Sequence, residues 1–395
     1  MRILVAHNRY QTGGGEDAVV RDESKLLRSH GHSVEVLGQD NDAIHGLRGK
    51  LIASSAIFYS VRSRERMRRA IQDFRPEIVH VHNWFPMLSP SIFLEAGASG
   101  VPTVQTLHNF RMICANALLY RDGSVCTDCV GKLLPVDGIV HGCYRGSRAG
   151  SAIVTAAYAL HRLRHTWDCV DLFIAVSEFQ REILVRGGLP ADKIVVKPNF
   201  VGSDNWETGR KTEEVALFAG RLSPEKGIHT LLSAWNTGKI PFRLKIIGEG
   251  PMAEEVRACS AANNAVEYLG LQPSEAVYRE MARAKFLVFP SECYEGFNRT
   301  VVESLSQGTP VLAADLGAVR DVVQDGVTGY RFSPGNADAL IDGALRFPRG
   351  EEYERMRANC RNLFLDKFTA EINYTLLADI YKRAIAMRER RQQKC

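Results

Sequence analysis

"VALFAGRLSPEKGIHTLLSAWNTGKIPFRLKIIGEG", residues 215–250, reads as one strand–helix–strand unit. "VALFAG" is a nearly continuous apolar run, the kind a strand shows when both faces of a parallel sheet are covered. A loop carrying Pro224 and Gly227 follows, then a helix-length stretch, then a second apolar run in "FRLKIIG". That alternation implies a parallel βαβ unit. Reading on, "AVEYLG", "KFLVFPSE" and "TPVLAAD" extend the same series. Reading back, "ILVAH", "GHSVEVLGQD", "PEIVHVHN", "VPTVQTLHN" and "DLFIAVSE" form an earlier one. The two series are separated by the polar stretch "KIVVKPNFVGSDNWETGRKTEE". The expected fold class is therefore α/β, with two tandem Rossmann-like, doubly wound domains at residues 1–199 and 200–369. A final helix, within residues 370–395, is expected to pack back on the first domain.

Composition narrows the function classes. The 395 residues are 45% hydrophobic and 24% charged, with a net charge of +5, an ordinary globular balance that calls for no nucleic-acid partner. "RILVAH" opens the chain without a basic and then apolar leader, and no run approaches the roughly 18 apolar residues of a membrane span. A cytoplasmic location is expected. Nine cysteines in such a chain argue against a disulfide framework. Four of them, Cys114, Cys126, Cys129 and Cys143, fall close together, and the Cys126-x-x-Cys129 spacing suits tetrahedral zinc. They are candidate ligands of a structural zinc ion, with His141 able to replace one, set against the simpler reading of reduced core thiols.

In doubly wound sheets ligands bind beyond the carboxyl ends of the strands, so the post-strand loops hold the candidate chemistry. Arg221 and Lys226 share the loop "RLSPEKG", where two cations can clamp a diphosphate. In "SECYEGFNRTVVESLSQGTPVLAADLG", residues 291–317, Glu295 lies in a loop and Glu303 inside the following helix. Backbone N–H groups of Phe297, Asn298, Arg299 and Thr300 would stand at that helix's N-terminus, facing an anion. Glu303 can accept hydrogen bonds from a ribose diol. The glycine triplet ending in Gly14 and Gly15 does not fit G-x-G-x-x-G, which weakens an oxidoreductase reading. His108 ends a strand and could bond a sugar hydroxyl, while His7, His80 and His82 also end strands.

Together "RLSPEKG", "IIGEGP", "PSECYEGFNRTVVESLSQGTPVLAAD" and "DGVTGY" resemble the retaining nucleotide-sugar glycosyltransferases of family 4, over essentially the whole chain. The resemblance implies the GT-B fold, two such domains facing a cleft. By position, Glu295 resembles the residue contacting the donor sugar, Glu303 the ribose ligand, and Arg221 and Lys226 the diphosphate clamp. Gly14 or its neighbour Gly15 would supply the glycine-loop contact, Phe297 and Asn298 backbone contacts, Gly248 and Leu271 the border of the base, and His108 the contact near the sugar. Asn109 stands where many members have Asp, and "ADLGAVRD" replaces the usual "SDxGGxxE".

The resemblance further implies a nucleoside-diphosphate sugar as donor, no cofactor or metal for catalysis, retention of anomeric configuration, and a glycan or lipid-linked acceptor in polysaccharide or glycoconjugate synthesis. A GT-B nucleotide-sugar epimerase and a catalytically silent nucleotide-sugar-binding protein are the alternatives. Residues 47–69 join an apolar stretch to a basic one, with Arg62, Arg66 and Arg69 expected on one helical face. That segment is expected either to rest on the inner face of an anionic membrane or to pack on the first domain with a solvated basic edge.

Overall fold

The computed structural model describes residues 1–9, 15–41, 44, 46–202 and 213–393. It divides into two compact units. The first comprises Met1–Leu118, Thr127–Asn199 and Asn373–Cys395, and the second Leu119–Cys126 and Phe200–Ile372.

Strands β1 (Arg2–Arg9), β2 (Ser33–Asp40), β3 (Ile78–Asn83) and β4 (Thr103–Leu107) belong to the first unit. A short antiparallel hairpin, β5 (Tyr120–Arg121) and β6 (Ser124–Val125), follows them in the chain. The first sheet is completed by β7 (Leu172–Ala175) and β8 (Ile194–Val196), giving the parallel order β2-β1-β3-β4-β7-β8. Every residue of β3, β4 and β7 is buried, as strands of a sheet covered on both faces are. The final helix, Ala370–Gln392, contributes Leu377, Ile380, Tyr381 and Ala384 to the core built on Ile3, Val5 and Ile174.

The second unit carries β9 (Val215–Ala219), β10 (Arg243–Ile247), β11 (Val266–Gly270), β12 (Phe286–Phe289), β13 (Val311–Ala314) and β14 (Gly329–Phe332). Their order, β11-β10-β9-β12-β13-β14, is the 3-2-1-4-5-6 arrangement of a Rossmann sheet, parallel throughout. The order reverses between β9 and β12, which opens a crevice beyond their carboxyl ends. The loops carrying Arg221, Lys226 and Glu295 leave the sheet at that point.

Candidate active site

After β9 the chain makes a single turn of 3-10 helix, Pro224–Lys226, closed by Gly227 at φ 71°. A Cβ on Gly227 would sit 2.0 Å from the carbonyl oxygen of Pro290, so only glycine lets this turn lie against the loop after β12. The Glu292 N–H donates to the Glu225 carbonyl at 2.9 Å and ties the two loops. Lys226 Nζ consequently bonds Glu295 Oε1, and Ser291 Oγ donates to the same oxygen at 2.9 Å. Burial alone would lower the Lys226 pKa, but Glu295, together with Cys293 and Glu225, raises it, so the ammonium stays charged. Arg221 stands exposed on the same loop.

Glu303 sits on the helix Arg299–Ser306, where Arg299 Nε donates to its Oε1 at 2.8 Å. The Tyr278 hydroxyl lies 3.4 Å from the same oxygen. Asn298, the N-cap, is 4% exposed and makes no side-chain cap bond. Its Oδ1 and Nδ2 are both buried without a hydrogen-bond partner among the described residues, which costs about 1–3 kcal/mol per group. Such an orphaned amide at a helix N-terminus fits a ligand that would satisfy it. Phe297 packs edge-on against Phe368 at 6.2 Å. Gly248, at φ 143°, has the Gly220 carbonyl oxygen 1.8 Å from where a Cβ would be, and its N–H donates to Gly270 at 2.9 Å. Leu271, next in the chain, is 74% exposed.

In the first unit His108 follows β4 directly, with its Nε2 3.0 Å from His82 Nδ1 and the two rings stacked at 5.3 Å. His82 Nε2 faces Glu23 Oε1 at 3.3 Å, while Lys197 Nζ bonds Glu23 Oε2 at 2.8 Å and Asn373 Oδ1 at 3.2 Å. Glu23 and Lys197 are both buried. Burial would raise the Glu23 pKa, yet Lys197 and the neighbouring histidines hold it well below the usual carboxylate range. Burial pushes His80 and His108 well below the ordinary histidine value, so both rings are neutral. Gly15 opens the helix Gly15–Ser29, and Gly14 lies outside the described residues. Asn109 Nδ2 donates to Glu16 Oε1 at 2.8 Å, a bond that an aspartate at this position would replace with like-charge repulsion.

One expectation is corrected. Among the described residues the only group close enough to share a metal ion is Glu23, His80 and His82, not the cysteines. Cys114 Sγ donates to Asn116 Oδ1 at 2.9 Å. The Glu23 group does not fit a cation either. Lys197 already supplies its positive charge, and both His80 nitrogens are engaged, with Tyr381 and Thr106 at 2.8 Å each. Residues 47–69 divide between helices Gly46–Ala56 and Val61–Phe74, the second capped by Ser60, and Arg62, Arg66 and Arg69 all lie on that second helix, where Arg66 and Arg69 bond Gly38 and Glu65 at 2.8 and 3.0 Å. Among the described residues no helix is long and apolar enough to cross a membrane.

Residues 13–204 match the family model for Glycosyltransferase Family 4, and residues 203–363 that for Glycosyl transferases group 1. The chain belongs to the family 4 glycosyltransferases. A lipopolysaccharide 1,6-galactosyltransferase of Escherichia coli strain K12 is 25% identical over 54% of this chain and 64% of its own length. A lipopolysaccharide 1,2-N-acetylglucosaminetransferase of Salmonella typhimurium is 28% identical over 46% of this chain and 55% of its own. This family 4 chain thus spans about half the length of the curated relatives it matches. Two solved structures fix the fold. The HepE protein of Anabaena, in complex with UDP, has a TM-score of 0.65 at 17% identity, covering 96% of this chain and 99% of its own. Sucrose-phosphate synthase of Thermosynechococcus elongatus has a TM-score of 0.70 at 16% identity, covering 98% and 99%. Both likenesses agree with the two-domain, Rossmann-like GT-B fold.

Proposed function

We propose that this chain transfers a sugar, with retention of configuration and without a metal ion, from a nucleoside-diphosphate sugar to a glycan or lipid-linked acceptor. The observation that carries the reading is the Lys226–Glu295 pair at the β9/β12 switch point, with Arg221 on the same loop. The two cations would neutralise the leaving diphosphate, and electrostatic preorganisation of this kind commonly supplies the largest catalytic contribution. Glu295 would meet the donor sugar, Glu303 the ribose, Gly248 and Leu271 the base, and the first-turn amides with Asn298 and Phe297 the phosphates and sugar. Gly14, Gly15 and His108 would contribute from the first unit. The matched transferases acting on lipopolysaccharide support a glycan acceptor and give no support to an epimerase. Contact with an anionic membrane rests on exposed Leu51 and Ile52 beside Arg48 and Lys50.

Thermal unfolding with UDP, GDP and ADP, in wild type and Lys226→Ala, tests the donor half. One nucleotide should stabilise the wild type by about 2.7 kcal/mol at 100 times its Kd and lose that effect in the variant. No stabilisation by any of the three, or equal stabilisation of both proteins, would overturn the clamp.

A further inference from the structure

A cavity of about 520 Å³ lies wholly within the first unit, at the carboxyl ends of β3 and β4. It falls in the usual range for small-ligand sites. Three cations line it from three different segments: Lys50 on the helix Gly46–Ala56, Arg111 after β4, and Arg145 before the helix Arg148–Leu163. No carboxylate lines it among the described residues. The wall between the cations combines apolar surface from Ile57, Phe85 and Val154 with the polar side chains of Asn41, Ser54 and Asn116. Arg111 lies over the Phe85 ring at 4.2 Å, which holds its guanidinium at the junction of the charged and apolar surfaces.

We propose that this cavity binds the acceptor, and that the acceptor carries a phosphate or diphosphate ester joined to an apolar or sugar moiety. Three positive charges around a concave, partly apolar wall focus a field that selects an anion and disfavours a neutral glycan. Two guanidiniums present forked donors suited to phosphate oxygens. The apolar part of the wall has no use for a bare ion and matches an organic group attached to it. Phe85 and Arg111 also line the recess that holds His82 and His108, so the cavity adjoins the strand-end histidines and is not a remote regulatory site. Leu51 and Ile52, beside Lys50, are 63% and 49% exposed, an outward apolar step that a lipid-borne ester would use and a soluble sugar phosphate would not. The assignment rests on the transferase reading above.

The test is calorimetric titration of the full chain with farnesyl diphosphate, glucose 1-phosphate and inorganic pyrophosphate. Wild type is compared with Lys50→Ala/Arg145→Ala and with Lys226→Ala, and UDP, GDP and ADP are titrated into each. Lys50 and Arg145 are exposed, so the double variant keeps its fold, which unchanged nucleotide binding would verify. Farnesyl diphosphate should bind wild type and Lys226→Ala alike and lose roughly tenfold or more in affinity in the double variant. The same pattern with glucose 1-phosphate alone supports the phosphate-ester site and names a soluble acceptor. Pyrophosphate binding as tightly as either ester, or ester binding that ignores the double variant or is absent, overturns the proposal. Ester binding as expected with no binding of UDP, GDP or ADP leaves the cavity's ligand class standing and removes the transferase reading.

Discussion

His82 Nδ1 and His108 Nε2 lie 3.0 Å apart, so one ring must donate and the other accept. Glu23 decides which. Its carboxylate, kept ionised beside Lys197, faces His82 Nε2 at 3.3 Å and favours the proton there. With that proton on Nε2 of a neutral ring, His82 Nδ1 accepts from His108 Nε2–H, leaving His108 Nδ1 as an acceptor for a ligand hydroxyl. Nitrogen-15 NMR of labelled histidine at neutral pH should show His108 neutral with its proton on Nε2. A proton on Nδ1, or a charged ring, would break the chain of reasoning.

The same cluster sets an acid limit on stability. His80 and His108 have folded pKa values well below 6.5, so below that pH the unfolded chain binds protons that the folded one refuses. Stability from these rings is full above the unfolded value and is lost as pH falls through it toward the folded values. Glu23, also depressed, adds loss as pH falls below its unfolded value of 4.5. Urea midpoints should therefore fall steadily from pH 7 to pH 4. A flat profile across that window would contradict the assigned shifts.

Lys197→Met should destabilise by about 3–5 kcal/mol, because it strands the buried Glu23 carboxylate. Adding Glu23→Gln should recover a good part of that loss, since a neutral amide beside an apolar chain leaves no uncompensated charge. Equilibrium denaturation of the two variants checks this. A double variant no better than the single would mean that packing, not charge, sets the cost.

How far the sequence carried depended on range. The long buried strands were legible because apolar runs such as "ILVAH" and "VALFA" have no other stable use, and the Rossmann alternation followed. Strands β8 and β14 were not read as strands: β8 falls in the stretch taken as the break between the two series, and β14, "GYRF", has no continuous apolar run. Lys226 and Glu295 could be named as site residues, but their bond depends on Gly227 meeting Pro290, a contact between segments far apart in the chain. Arg299 and Tyr278, which hold Glu303, went unread. Arg299 is at i−4 on the same helix and was open to recognition, whereas Tyr278 comes from another helix. Glu23 and Lys197 are 174 residues apart and left no local signal. The zinc expectation failed for the converse reason: a C-x-x-C pair is local, and the closing ligands must come from tertiary structure.

Glu303 and Glu295 should separate kinetically. Glu295→Ala removes the partner of Lys226 beside the reacting centre and is expected to lower turnover at least about tenfold, as is Lys226→Ala. Glu303→Ala, facing Arg299 and Tyr278, should instead raise donor KM with a smaller change in kcat, as loss of uniform binding does. Steady-state rates against donor concentration distinguish the two. Near-normal turnover in both Lys226→Ala and Glu295→Ala would refute their roles.

Gly248→Ala should disable the donor half through the backbone alone. The added methyl would lie 1.8 Å from the Gly220 carbonyl oxygen, and φ 143° is strained for any L side chain. Gly220 donates to the Ile247 carbonyl at 3.0 Å and Leu222 to Glu249 at 2.9 Å, so the loops after β9 and β10 are laced together. Neither can yield without moving Arg221, which sits between those two bonds. Nucleotide binding should thus weaken by roughly tenfold or more, with a loss of about 1–3 kcal/mol in stability. Gly326→Ala is the control: it has a similar backbone demand at φ 74° but nothing within 4 Å of its missing Cβ, and it lies on the loop before β14. It should lose stability and keep nucleotide affinity. Equal affinity losses in both variants would show that strain anywhere in this unit, not the β9–β10 lacing, governs the site.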